Sequence, residues 1–189
     1  MANRLSSIVT RTGDDGTTGL ADGSRLSKDA PRVHAMGEVD ELNSLLGLLR
    51  SAVRAPGAEH GADLASRLDA HLAEIQNDLF DLGGELAIPG AVAVRESHVA
   101  ALDGMLAHYN ADLPRLQEFI LPGGTAAASH AHVARSACRR AERSLVALPA
   151  NADALRYVNR LSDLLFVLSR VLQRAAGLPE PQWRQLRRA

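Results

Sequence analysis

Five short segments of this chain concentrate the side chains that could do chemistry. Near the amino end runs Thr10, Arg11, Thr12, Gly13, Asp14, Asp15, Gly16, Thr17, Thr18 and Gly19. Glycines let a backbone approach a ligand closely, and successive N–H groups can then form an anion-binding nest. The threonine hydroxyls add donors and Arg11 adds charge. No Lys-Ser/Thr pair follows the glycines, so this is not a Walker loop. A pair of glycine turns in a mobile arm describes the same residues, and Asp14 and Asp15 would repel phosphate unless a metal or Arg lay between.

The second segment is Arg135, Ser136, Ala137, Cys138, Arg139, Arg140, Ala141, Glu142 and Arg143. At about 100° per residue, Arg135, Arg139, Glu142 and Arg143 share one helical face, and Arg140 points well away. Guanidinium groups on one face can hold a polyanion, because the planar fork matches phosphate oxygens. A solvated face with Arg–Glu pairs fits the same spacing. The third segment, Phe119 to Thr125, takes an apolar run into Pro122, Gly123 and Gly124. Gly124 or Thr125 can cap a helix whose N-terminus favours anions. Around Asp40 (Glu38 to Asn43) and Asn159 (Tyr157 to Asp163), polar side chains crowd successive helical turns, as an ordinary charged face also would.

Other chemistries lack their residues. His130 and His132 fall on different sides of a helix. No H-E-x-x-H or Glu-x-x-His unit exists for zinc or di-iron sites, and no G-x-S-x-G or dinucleotide fingerprint is present.

The elements that position these segments follow from apolar periodicity. Val39, Leu42, Leu46, Leu49 and Val53 mark a first helix that begins near Pro31 and ends before Pro56 and Gly57. Leu64, Leu68, Leu72, Ile75, Leu79 and Leu82 mark a second, from about Ala62 to Leu86. A third spans Glu96 to Asn110, and a fourth runs from near Gly124 to about Leu148. The fifth, Ala152 to Ala176, carries Leu155, Val158, Leu161, Leu165, Leu168 and Leu172. The expected fold is all-α: an up-down five-helix bundle, ferritin-like in layout, over residues 31–177. Residues 1–30 read as an irregular Gly/Thr-rich arm. The basic tail, 178–189, has Trp183 as its only large apolar residue and reads as a loosely held end.

With 189 residues the chain suits one domain, and 46% hydrophobic residues can bury a real core. Aromatics are only 3%, so Ala and Leu carry the apolar mass, which favours helix over strand. A net charge of −1 argues against nucleic acid and against a polybasic membrane anchor. A single cysteine, Cys138, excludes a disulfide framework. No stretch has membrane-spanning length and the start has no secretory signal, so the expected location is the cytoplasm.

In this order, the five segments resemble the PduO-type ATP:cob(I)alamin adenosyltransferases, from about Ile8 to Ala176. That resemblance implies a homotrimer with active sites between subunits, binding ATP with Mg²⁺ and a corrinoid. It implies transfer of the 5′-deoxyadenosyl group of ATP to the cobalt of cob(I)alamin, after reduction of a four-coordinate cob(II)alamin, with release of triphosphate. Thr10, Arg11, Thr12, Gly13, Thr18 and Gly19 would fold over the nucleotide, with Lys28 nearby. Arg139, Arg140, Glu142, Arg143 and Asn159 would complete the ATP site, and Mg²⁺ would be held mainly by the phosphates. Asp40 and Arg135 would pair across the subunit boundary on the corrinoid side, and Phe119 would displace the lower axial ligand. Arg139, Phe119 and Glu142 are the expected catalytic residues. An electron-donating reductase, and an acceptor enzyme that uses adenosylcobalamin, are the expected partners. A non-catalytic corrinoid carrier and a ligand-free helical scaffold are the competing readings.

Overall fold

A computed structural model describes residues 9–184; the first eight positions of the arm and the last five of the tail lie outside the described residues. Five helices follow one another: α1 (Pro31–Val53), α2 (Ala62–Ala87), α3 (Glu96–Asn110), α4 (Ala126–Val146) and α5 (Ala152–Ala175). Local chemistry sets their ends. Pro31 opens α1, where its missing N–H costs nothing. Thr125, not Gly124, caps α4: its hydroxyl accepts from the Ala128 N–H at 3.1 Å. Asn151 caps α5 through the Asp153 N–H at 3.0 Å.

Side-chain pairs give the helix directions. Arg50 meets Asp69 while Asn43 meets Gln76, so α2 runs antiparallel to α1. His71 meets Tyr109 near the start of α2, and Glu85 near its end meets Val94, so α3 reverses again. Glu38 near the start of α1 meets Arg140 near the end of α4. Glu142 near the end of α4 meets Asn159, and Thr125 at its start meets Gln173, so α5 runs against α4. The bundle is therefore up-down throughout, as the short connections require.

α4 packs against both α1 and α5, while α2 lies on α1 and α3 on α5. Its inward side is Ala127, Ala128, Ala131, Ala134, Ala137, Cys138 and Ala141, all buried. Methyl-sized side chains let its neighbours approach closely, and Leu42, Leu46, Leu49, Leu161, Leu165 and Leu168 fill the space around them. Burial pushes the Cys138 thiol far above its ordinary range, which makes it a packing group rather than a nucleophile.

Two expectations need correction. The arm is not wholly irregular: β1 (Thr17–Gly19) and β2 (Arg25–Ser27) pair antiparallel, with Thr18 opposite Leu26. Three-residue strands are too short for alternation to reveal. Their turn is held by Asp22, which accepts from the Ser24 N–H at 2.9 Å. Nor is the described part of the tail loose. Gln182 bridges to Ile120, and the Leu121 N–H donates to the Pro181 carbonyl at 2.8 Å.

At the end of the bundle near α1's start, buried Glu85 accepts from the Ala93 and Val94 N–H groups at 2.8 and 3.0 Å. This carboxylate ties the α2–α3 connection to the bundle. Glu85→Ala, which strands both donors, should lower stability by about 2–3 kcal/mol. A lower urea midpoint with an unchanged slope would be the readout.

Candidate active site

The fourth helix carries the candidate residues along one side. Arg135 lies at the middle of α4, and Arg139, Glu142 and Arg143 lie one to two turns further toward its C-terminus. At about 1.5 Å per residue, Arg135 and Arg143 are separated by about 12 Å along the axis. Arg139 and Arg143 are exposed. The Arg143 guanidinium donates to the Arg139 carbonyl at 3.0 Å, and Asn159 of α5 donates to the Glu142 carboxylate at 2.9 Å. Asn159 thus joins this face, while Arg140 turns to α1, where Glu38 and Glu41 both engage it. That engagement orients Arg140 away from Arg139 and Arg143.

The arm is anchored at the C-terminal end of α2, beside the start of α1. The Ala21 N–H donates to the Ala87 carbonyl at 3.0 Å, and the Arg32 guanidinium to the Leu86 carbonyl at 2.8 Å. Within the arm, Lys28 Nζ donates to the Gly13 carbonyl at 2.8 Å. Arg25 donates to the Thr12 carbonyl at 2.5 Å and also engages the Thr17 hydroxyl. The Thr10 and Thr12 hydroxyls lie 3.0 Å apart. Arg11 has φ +57°, a left-handed conformation uncommon outside glycine. A side chain at Gly13 would press on Lys28 and the Thr17 carbonyl, both at 3.1 Å, so glycine allows this close fold. The arm therefore gathers Thr10 to Gly13, Thr18, Gly19 and Lys28 into one compact unit. Among the described residues, no hydrogen bond or ion pair joins residues 10–30 to Arg135, Arg139, Glu142 or Arg143 of the same chain. Asp40 is exposed on α1, and no ion pair joins it to Arg135 within the chain.

A cavity of about 390 Å³ opens beside Arg135, lined by Phe119, Ile120, Pro122, His132, Arg135 and Phe166, among others. The Phe119 ring is 76% exposed, an unusual state for so large an apolar group. His132 Nδ1 and Arg135 Nε are buried there without a hydrogen-bond partner. Phe166 escaped the sequence reading, and His132 entered it only as a rejected metal ligand. Their rings meet at 6.3 Å in an edge-to-face contact. His132 lies three residues before Arg135 on α4, a spacing that could have drawn attention to it. Phe166, one of three phenylalanines, sits inside an apolar stripe that gave no such signal.

Comparison with known proteins then decides the family. The model of the cobalamin adenosyltransferase family matches residues 8–172. The chain belongs to the cobalamin adenosyltransferase family. It is an enzyme of that transferase class. A cobalamin adenosyltransferase from Cupriavidus metallidurans is 56% identical over 192 residues, covering 99% of each chain. The corrinoid adenosyltransferase of Bacillus subtilis is 41% identical over 184 residues, covering 93% of this chain and 91% of its own. A variant PduO-type ATP:corrinoid adenosyltransferase from Lactobacillus reuteri, complexed with cobalamin and ATP, superposes with a TM-score of 0.84 at 36% identity. The match covers 95% of this chain and 100% of that one. Another variant of that enzyme, complexed with ATP, gives 0.83 at 38% identity, covering 94% and 100%. The expected PduO-type family and all-α five-helix fold both stand.

Burial, with Arg135 adding to it, holds the His132 imidazole below its ordinary range. Burial acts likewise on His71, helped by His108 and Arg67. In the unfolded chain both titrate near about 6.5. As pH falls through that value, the unfolded state takes up protons that the folded state resists, so stability falls. Between pH 7.5 and 5.5 the urea midpoint should drop, and His132→Gln should make that drop shallower.

Proposed function

We propose that this protein transfers the 5′-deoxyadenosyl group of ATP to the cobalt of cob(I)alamin, forming adenosylcobalamin and triphosphate. One observation carries this reading: a single helix presents exposed guanidinium groups along one side and, one turn away, borders an apolar cavity edged by Phe119. Such a surface can hold a polyanion and a large flat apolar ring as neighbours. The solved relatives from Lactobacillus reuteri, complexed with cobalamin and ATP, support the same pair of substrates.

Cob(I)alamin is a strong nucleophile without help, so no protein base has to activate it. Its cobalt electron pair attacks the ribose 5′ carbon as the carbon–oxygen bond to triphosphate breaks. The protein's tasks are alignment and stabilisation of charge on the leaving group. Arg139 and Arg143 meet the developing negative charge through planar donor forks. Glu142, oriented by Asn159, adds a carboxylate. Mg²⁺ binds by preference through substrate phosphates and one or two carboxylates, and the hard oxygens of Glu142 and Asn159 suit it. Thr10, Arg11, Thr12, Gly13, Thr18, Gly19 and Lys28 form a lid over the nucleotide. Among the described residues, no hydrogen bond or ion pair joins residues 10–30 to the guanidinium face of their own chain, which supports a lid supplied by a neighbouring subunit of a homotrimer. Asp40 pairs with Arg135 across that boundary. Arg140, committed to Glu38 and Glu41, supports the ATP site by fixing α4 on α1.

Phe119 serves the step before transfer. A cobalt(II) centre stripped of its lower ligand is easier to reduce, and an exposed ring at the cavity rim excludes both base and water. The electrons come from a reductase, and an adenosylcobalamin-dependent enzyme takes the product. The reaction belongs in the cytoplasm.

The decisive experiment is anaerobic: chemically reduced cobalamin and MgATP, followed for the light-sensitive cobalt–carbon bond. Adenosylation supports the proposal; corrinoid binding without turnover would indicate a carrier, and no binding a scaffold. Arg139→Ala should lower turnover at least about tenfold to a hundredfold, as expected when a charge-stabilising donor is lost. Near-wild-type steady-state rates would remove Arg139 from the mechanism. Phe119→Ala should bind ATP normally while cobalt(II) stays five-coordinate, and an unchanged four-coordinate absorption signal would contradict its role.

A further inference from the structure

Phe119 lies in the 111–125 connection, a loop with little structure of its own. Among the described residues, the backbone of 119–121 makes its hydrogen bonds to two places. The Phe119 N–H is met at 2.9 Å by the adjacent Glu118 carboxylate, and every other contact comes from the C-terminal segment 178–184. The Trp183 N–H donates to the Phe119 carbonyl at 2.7 Å, and the Leu121 N–H to the Pro181 carbonyl at 2.8 Å. The Phe119 and Trp183 rings meet edge-on, with centroids 6.4 Å apart. This segment is a strap across the loop, and its location fixes where Phe119 stands.

Two side chains of α5, three residues apart, hold the strap. Arg170 donates from Nε to Glu180 at 2.6 Å and from Nη2 to its other oxygen at 3.2 Å. The same Nη2 donates to the Pro114 carbonyl, at the start of the loop, at 2.8 Å. Gln173 donates to the Pro179 carbonyl at 2.9 Å and accepts from the Thr125 N–H, at the loop's end, at 2.9 Å. Arg170 and Glu180 are only 6% and 12% exposed, the most enclosed ion pair among the described residues. A buried ion pair is a poor source of stability, because desolvation offsets much of the attraction, but its geometry is exacting. An arginine fork that grips a carboxylate and a carbonyl together ties two chain segments in one register. Gly124 completes the joint. At φ +110°, its added Cβ would lie 2.0 Å from the Gln173 oxygen.

We propose that Arg170 and Glu180 are positioning residues for the adenosyl transfer: their ion pair docks the strap, and the strap places Phe119 at the cavity rim. This inference rests on the corrinoid-side role given to Phe119 above. Glu180 sits on the strap itself. Removing its carboxylate therefore frees the strap and opens Arg170 to water, leaving the five-helix core intact.

Trp183 is the only tryptophan, so its fluorescence reports strap docking directly. In full-length Glu180→Ala, acrylamide should quench Trp183 more strongly while the helical circular-dichroism signal and the KM for ATP stay near wild type. Four-coordinate cobalt(II) and kcat should each fall about tenfold, the scale of loss that follows small misplacement. Glu180→Asp should restore part of both. Trp183→Ala, a change at a half-exposed side chain that leaves the core untouched, should lower the four-coordinate signal as well. Phe119→Ala is the reference. A wild-type four-coordinate signal in both Glu180→Ala and Trp183→Ala, beside a lost signal in Phe119→Ala, would overturn the strap's role alone. Wild-type signals in all three would overturn the placement of Phe119 on which that role depends. Should Glu180→Ala fail to fold, the Trp183→Ala result decides.

Discussion

The alanine seam of α4 is the constraint from which the rest of this molecule follows. A helix whose inward side is nearly all methyl groups can sit between two neighbours at close range, so α4 is gripped by α1 and α5 along most of its length. Rigidity on that side is what lets the other side present Arg135, Arg139, Glu142 and Arg143 at a set spacing. Ala residues contribute little burial each, and the leucines of α1 and α5 supply the apolar area instead. A larger side chain in the seam would push α4 outward and separate Glu142 from Asn159, whose hydrogen bond crosses between α4 and α5.

The same central helix connects two chemically different regions. Near α4's finish, charged groups are exposed and paired with one another or with backbone. Around its middle, beside Phe119 and Phe166, the environment is more apolar, and His132 and Arg135 each keep a buried polar atom unpaired. Transfer between a polyanionic nucleotide and a flat corrinoid needs that adjacency: water-rich on one side, water-poor on the other, within a few turns of one rigid element. The loop and strap over Phe119 are built differently from the bundle. Hydrogen bonds and one enclosed ion pair hold them, with little apolar burial, which suits a part that defines position more than stability.

Much of this was legible in the residues. Apolar stripes marked the first, second and fifth helices, and Pro31 and Pro56 bounded the first, because periodicity and proline act locally. The guanidinium face of α4 was legible for the same reason, and so was the separate direction of Arg140. The small hairpin of the arm was not, since its strands are too short to show a period. His132 and Phe166 look like ordinary core residues until α4 and α5 are placed side by side.

What the sequence determined by itself, then, was the helical class, the element boundaries, the family and the faces on which its polar residues fall. These depend on spacing along one chain and on motifs read in order. Only the tertiary structure decided which elements those faces meet: the commitment of Arg140 to α1, the cavity joining Phe119 to Arg135, and the docking of the tail. Glu180 and Pro114 are far apart along the chain, and Arg170 brings them together. No periodicity encodes such a junction, because it exists only once three separate segments have been folded to the same end of the bundle.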